Sequence, residues 1–422
     1  MKVLWLSNQM PPAVARVLGK EAGNKEGWLT GLLEGLLRHR EENGIELGLC
    51  FPIVPGSAPI TGKTEDFAYF GFYEDTVHPE KYDVSLEKQL KDILQEFAPD
   101  IVHCFGTEYP HTLAMSRVCE DKRKLLVGIQ GLCFKYADYY MADLPKKIQK
   151  RYLLRDFLKR DNLILQQKKY ILRGNFEKEA LKNVRHVTGR TDWDRAAAAG
   201  VNPQAEYHFM NESLRPVFYE ARWEMENCEK YSIFLSQGNY PIKGLHYLLN
   251  ALPDILKRYP QTKVYVAGDV ITRYNTLMEK IKIGSYGKYC LDLIKKQKLE
   301  DRVCFLGKLD SRKMCERYLK SHVFLSPSAI ENSPNSVGEA MLLGMPVVSS
   351  AEGGVTNLLK DGEEGLLYPY QDVKALAEAV IRIFSNDEVA ACLGNKAREH
   401  ALRTHDPEIN YRRLLEIYGE LA

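Results

Sequence analysis

At 422 residues, 45% of them hydrophobic and 27% charged, the chain is longer than one hydrophobic core usually serves, so two globular domains are the default. A formal net charge of +2 argues against a dedicated nucleic-acid binder. Nine cysteines, an odd number with no Cys-x-x-Cys pair, argue against a disulfide framework or a cysteine zinc site, and predict buried thiols in a reducing compartment.

In chain order, "KVLWL" (2–6) predicts a first buried strand. The few apolar residues of this start are too short for a secretion signal, and no run is long enough to span a bilayer, so a cytoplasmic location is expected. "GWLTGLLEGLLRHR" reads as an amphipathic helix, "IELGLCFPIV" as a strand, "SLEKQLKDILQEF" as a helix, and "DIVHCF" and "KLLVGI" as strands. Between them, "GSAPITGKT" (56–64) has the look of a phosphate-binding Walker loop. However, five residues separate Gly56 from Gly62 and a strand-like "EDFAYFGFY" follows, so an ordinary turn is expected. The second half repeats the rhythm: "YSIFLSQG", "TKVYVAGD", "RVCFLGKL", "HVFLSPS", "PVVSS" and "GLLYP" alternate with helical stretches. Such alternation predicts parallel sheets covered by helices on both faces. It lapses near "YHFMNESLRPVFYE" (207–220), and "HDPEINYRRLLEIYGELA" forms a separate amphipathic helix after Asp406-Pro407. The expected division is an N-terminal domain of 1–212, with helix 405–422 packing back on it, and a second domain of 213–404. Ligands of doubly wound sheets bind at the carboxyl ends of the strands, which predicts a site in a cleft between the two domains.

Two stretches carry candidate chemistry. In "SPSAIENSPNSVGEAMLLGMPVVSS" (326–350), Glu331 and Glu339 flank a loop of small, polar and helix-breaking residues, and a helix is predicted to start near Asn335 or Ser336. Unpaired amides and the positive dipole end would welcome an anion there. Ser336-x-x-Glu339 also fits a capping box, which would make Glu339 a helix-start residue only. In "FLSQGNYPIKGLHYLL" (234–249), Gly238 lies in a turn after a strand and Lys243 precedes the next helix, where a compact cation suits a diphosphate. No Gly-x-Gly-x-x-Gly follows a strand, which weighs against a dehydrogenase.

Over residues 231–370 these motifs resemble the retaining nucleotide-sugar glycosyltransferases of the GT-B architecture, family four, which have two Rossmann-like domains facing across a cleft. The resemblance is thinner in "HVTGRTDWDRA" and "NESLRPVFY". It implies that Glu331 lies against the donor sugar and Glu339 holds the ribose hydroxyls. It implies too that amides from Asn332 through Ser333, Pro334 and Asn335 to Ser336 meet sugar and diphosphate, and that Lys243 holds the diphosphate. Gly238 and Asn239 would form the phosphate turn, backbone near Lys308 would meet the base, and Gly27 would sit in an N-terminal loop approached by the diphosphate. The implied co-substrate is a UDP- or GDP-sugar with no cofactor and no metal, the leaving phosphate oxygen taking the acceptor's proton.

The sequence departs from the family in three places. Asn239 stands where an arginine is common, Gln130 where a donor-facing histidine is common, and Asn357 near a usual glutamate. A non-catalytic GT-B scaffold for a partner transferase is the alternative that the missing arginine supports. Residues 146–173 are rich in Lys and Arg interleaved with apolar side chains, which predicts either docking on anionic lipid or a solvated helix face. A glycan or lipid-linked acceptor, as in bacterial surface polysaccharide assembly, is the corresponding expectation, on the inner face of the plasma membrane. Tyr136, Tyr139 and Tyr140 are candidates for stacking an acceptor sugar or, equally, for packing.

Overall fold

The computed structural model describes residues 1–20 and 27–422. Two sheets carry the chain. The first contains β1 (Lys2–Leu6), β2 (Glu46–Ile53), β3 (Thr61–Lys63), β4 (Phe67–Tyr73), β5 (Ile101–Phe105), β6 (Leu125–Gly128), β7 (His186–Gly189) and β8 (Glu206–Phe209). Their spatial order is β3-β4-β2-β1-β5-β6-β7-β8, all parallel except the β3–β4 hairpin. That hairpin holds the Walker-like stretch: Gly62 pairs with Tyr69 across it, so the segment is a turn and a strand and no helix follows. The second sheet contains β9 (Glu229–Leu235), β10 (Lys263–Ala267), β11 (Val303–Gly307), β12 (Ser321–Ser326), β13 (Val347–Ser350) and β14 (Leu366–Tyr368), in the order β11-β10-β9-β12-β13-β14, all parallel. Both are doubly wound Rossmann-like sheets, as the resemblance noted in the sequence implies. β5 and β12 are buried at every position because helices cover both faces, which is why they read as unbroken apolar runs.

The chain divides into two compact units: residues 1–135, 169–215 and 404–422, and residues 136–168 with 216–403. Residues 136–168, read from the sequence as N-terminal, cluster with the second unit. Ala142, Leu144, Ile148 and Leu163 join its core beside Tyr247 and Tyr286, and His246 Nε2 lies 2.8 Å from the Ala142 carbonyl oxygen. Periodicity along a segment shows which face is apolar but not which distant element covers it.

The helix Pro407–Leu421 packs in the first unit, where Leu414, Ile417 and Tyr418 share a core with Val3, Trp5 and Leu33. The Tyr418 hydroxyl accepts from Trp5 Nε1 at 2.8 Å and faces His103 Nδ1 at 2.9 Å, all three side chains being buried. Burial lowers the His103 pKa to about 3, so the ring is neutral at pH 7 and accepts the tyrosine proton. Tyr418→Phe leaves two buried polar atoms without partners and is expected to cost about 3 kcal/mol. Urea unfolding followed by circular dichroism checks this, and an unchanged midpoint would refute it.

Candidate active site

In the second unit, β9 ends at Leu235, and the chain turns through Gly238 into a short 3-10 turn, Pro241–Lys243. Gly244 adopts φ +69° and caps the helix Leu245–Arg258. A Cβ on Gly244 would lie 1.8 Å from the Pro327 carbonyl oxygen, so glycine alone lets this loop touch the one that follows β12. Ala329 N–H donates to the Ile242 carbonyl at 2.7 Å and ties the two loops together. Lys243 Nζ thereby meets Glu331 Oε1 in a close ion pair, and the Ser328 hydroxyl donates to the same oxygen at 2.7 Å. Glu331 is only 8% exposed. Its own backbone is held from the other side: Gly354 N–H donates to the Glu331 carbonyl at 2.9 Å, and a Cβ on Gly353 (φ +75°) would lie 1.9 Å from that oxygen.

The helix after this loop runs Asn335–Leu343. Its cap is Pro334, one residue earlier than expected, because Val337 and Gly338 donate to the Pro334 carbonyl at 2.9 and 3.3 Å. Ser336 is the second helical residue rather than the cap, so the capping box anticipated for Ser336 and Glu339 does not define the helix start. Glu339 lies one turn in and is 5% exposed. Asn332 is buried, whereas Ser333, Pro334, Asn335 and Ser336 are half-buried. The first-turn amides at Asn335 and Ser336 have no helical carbonyl to bond. A small pocket lined by Gln237, Lys243, Ser326, Ser328, Glu331 and Ser336 gathers this chemistry in one place.

Other expected residues fall elsewhere. Asn239 lines a separate cavity of about 370 Å³ together with Arg155, Arg273 and Lys282, and its Oδ1 is buried without a partner among the described residues. Lys308 follows β11 with an exposed side chain, 3.1 Å from Asp269. Gly27 opens the helix Gly27–Arg38, and the residues just before it lie outside the described ones. Tyr136 is half-buried in the helix Cys133–Tyr139, while Tyr139 and Tyr140 pack: Tyr139 against the Tyr370 ring, 5.9 Å between centroids, and Tyr140 through a 2.8 Å bond to Gln166.

The first unit has its own polar cluster just past the carboxyl ends of its strands. Gln130, after β6, donates to Glu212 at 2.7 Å and accepts from Arg190 at 3.2 Å, while Arg190 and Glu212 form a buried ion pair. Burial raises the Glu212 pKa and Arg190 opposes the rise. Glu108 accepts from Gly131 N–H at 3.0 Å, and His111 contacts Glu74 at 2.7 Å and Asn8 at 3.1 Å. Sequence reading picked Gln130 but missed Arg190, Glu212, Glu108 and His111. The available signal was position: charged residues directly after apolar strands. Asp194 closes a capping box with Thr191 at the start of the helix Asp192–Val201, just after Arg190.

Glu177, buried behind this cluster, accepts from the Thr107 hydroxyl and, at 3.0 Å, from Phe134 N–H. Desolvation raises its pKa to about 8, so folding takes up a proton between roughly pH 4.5 and 8 and this contribution to stability declines as pH rises through that window. Glu177→Gln, permanently neutral, is expected to exceed the parent in stability by about 3 kcal/mol at pH 7 and to match it near pH 4.5. Thermal unfolding at both pH values checks it; an equal gain at both would show that titration is not the cause.

Residues 219–400 match the family described as Glycosyl transferases group 1. The D-inositol 3-phosphate glycosyltransferase of Corynebacterium urealyticum is 28% identical over 186 residues, 43% of this chain and 41% of that protein. The chain thus matches less than half the length of this curated relative. Among solved structures, sucrose-phosphate synthase from Thermosynechococcus elongatus superposes with a TM-score of 0.72 at 18% identity, covering 100% of this chain and 99% of that one. The Anabaena protein HepE in complex with UDP-glucose gives 0.65 at 15% identity, covering 100% of both. At these identities the two structures speak for the fold.

Proposed function

We propose, from the match of residues 219–400 to the glycosyl transferases group 1 family, that the chain moves a sugar from a nucleotide-diphosphate donor to an acceptor hydroxyl with retention of configuration. The observation that carries this reading is the Lys243–Glu331 pair set beside a half-buried helix start. A diphosphate arriving at those amides replaces the carboxylate as the partner of Lys243 and frees Glu331 for the sugar hydroxyls. Glu339, on the rigid helix behind, accepts from the ribose diol. As the bond from the anomeric carbon to phosphate oxygen breaks, positive charge grows on the sugar beside Glu331 and negative charge on the diphosphate beside Lys243 and the amides. The acceptor oxygen bonds the same face of that carbon, and its proton passes to the departing phosphate oxygen. That a HepE structure of this fold is described with UDP-glucose supports a UDP-sugar as the first donor to test.

Arg155 and Arg273, which line the cavity beside Asn239, are the candidates to replace the arginine absent from the phosphate turn. The test is a screen of UDP- and GDP-sugars by thermal stabilisation, then by hydrolysis, with the product anomer read by NMR. A non-catalytic scaffold gives neither stabilisation nor hydrolysis, and inverted product rejects the retaining mechanism.

For the acceptor we favour a lipid-linked glycan. Among the described residues no helix is long and apolar enough to cross a membrane. Tyr152, Leu154, Phe157 and Leu158 are exposed amid the basic residues of 146–160. Such a surface suits anionic lipid, about 1 kcal/mol per cation near the bilayer. Equal sedimentation with anionic and neutral vesicles would count against it.

A further inference from the structure

The edge of the first sheet holds a group of side chains that sugar transfer does not use. His186 on β7 lies opposite Glu206 on β8, the edge strand, and His208 follows two residues later on the same face. His186 Nδ1 is 3.0 Å from His208 Nε2 and 3.7 Å from Glu206 Oε2, and the three ligand atoms all lie within 4.8 Å of one another. Both imidazoles are buried, while Glu206 is exposed and leaves a path from solvent.

The second nitrogen of His208 is also engaged. His208 Nδ1 is 3.0 Å from a Glu420 carboxylate oxygen on the helix Pro407–Leu421, and the other Glu420 oxygen lies 3.3 Å from Arg413. A carboxylate there holds the proton on Nδ1, so Nε2 presents its lone pair toward His186. Metal-bound histidines are oriented by this same carboxylate–imidazole arrangement. Two lone-pair nitrogens this close need either one shared proton or one cation between them. A tetrahedral ion bonded to both would set them about 3.3 Å apart, a few tenths of an ångström from where they stand.

We propose that His186, Glu206 and His208 bind a divalent transition cation, zinc foremost, with Glu420 as the positioning carboxylate. Two imidazoles and one carboxylate suit zinc and its neighbours rather than magnesium or calcium, which prefer all-oxygen shells. The ion joins the last two strands of the sheet and, through Glu420, fixes the C-terminal helix to them. Its place in the first unit separates it from the donor chemistry proposed above.

The test uses the untagged full chain, stripped with EDTA and titrated with Zn²⁺ by calorimetry and with Co²⁺ by visible absorption, with Mg²⁺ as control. The expected result is one Zn²⁺ per chain, a tetrahedral Co²⁺ spectrum, a higher unfolding temperature with Zn²⁺ and no response to Mg²⁺. Glu206→Ala, at an exposed position, and His208→Asn should each weaken binding at least tenfold, and Glu420→Gln about tenfold. Circular dichroism confirms that each variant is folded. Replacing the exposed thiols (Cys304→Ser with Cys392→Ser) should change nothing. No Zn²⁺ uptake, uptake that survives both Glu206→Ala and His208→Asn, or uptake lost with the two thiols instead, overturns the proposal.

Discussion

Lys243→Ala is expected to reduce donor turnover by about 100- to 1,000-fold, the usual cost of removing one preorganised group that faces developing charge. The magnitude follows from where the lysine sits. Its ammonium is held against Glu331 by two loops in backbone contact, so it need not be ordered when the donor arrives. The same change leaves the Glu331 carboxylate, nearly buried, with the Ser328 hydroxyl. Stability should therefore fall as well, by about 1–3 kcal/mol, because breaking a buried pair strands a charge. Lys243→Met combined with Glu331→Gln separates the two effects: the pair is replaced by neutral groups, so the fold recovers and turnover does not. Hydrolysis rates and unfolding temperatures of the parent and both variants supply the check. Turnover within tenfold of the parent for Lys243→Ala would remove the lysine from the reaction.

Gly244→Ala is expected to be among the most damaging single methyl additions in the second unit. The added carbon would lie 1.8 Å from the Pro327 carbonyl oxygen, and the residue would keep a left-handed backbone that side chains disfavour. Relief requires the two loops to part, which breaks the Ala329–Ile242 hydrogen bond and draws Lys243 away from Glu331. A loss of about 3 kcal/mol or more is expected, with turnover falling alongside it. In a unit of this size that lowers the unfolding temperature by about 6–12 °C. Gly362→Ala is the control: its φ of +70° is similar but no atom lies within 4 Å of the added carbon, so only the conformational cost of about 1–2 kcal/mol applies. Equal effects at the two positions would mean that loop contact is not what Gly244 permits.

How much of this was legible in the chain depends on distance along it. The strands were readable because helices on both faces make them continuously apolar, and Lys243 and Glu331 because each stands beside its own local signature. The cap at Pro334 was not, since proline lacks the side-chain acceptor that marks a cap, and its role comes from a backbone carbonyl. Arg190 and Glu212 lay in stretches that already resembled the family, yet their pairing with Gln130 joins three separate strand ends. The placement of residues 136–168 in the second unit depends on partners such as His246 and Tyr286, more than a hundred positions away in the case of Ala142 and His246.

The return of residues 404–422 to the first unit has a consequence for biosynthesis. A ribosome completes all of 216–403 before it releases the helix that supplies Tyr418 to Trp5. The unit begun first is thus closed last, and its nascent strands must wait, with Trp5 lacking a partner, while the later one can already mature. A stop codon placed ahead of that helix should therefore injure the half of the molecule farthest from it in translation order.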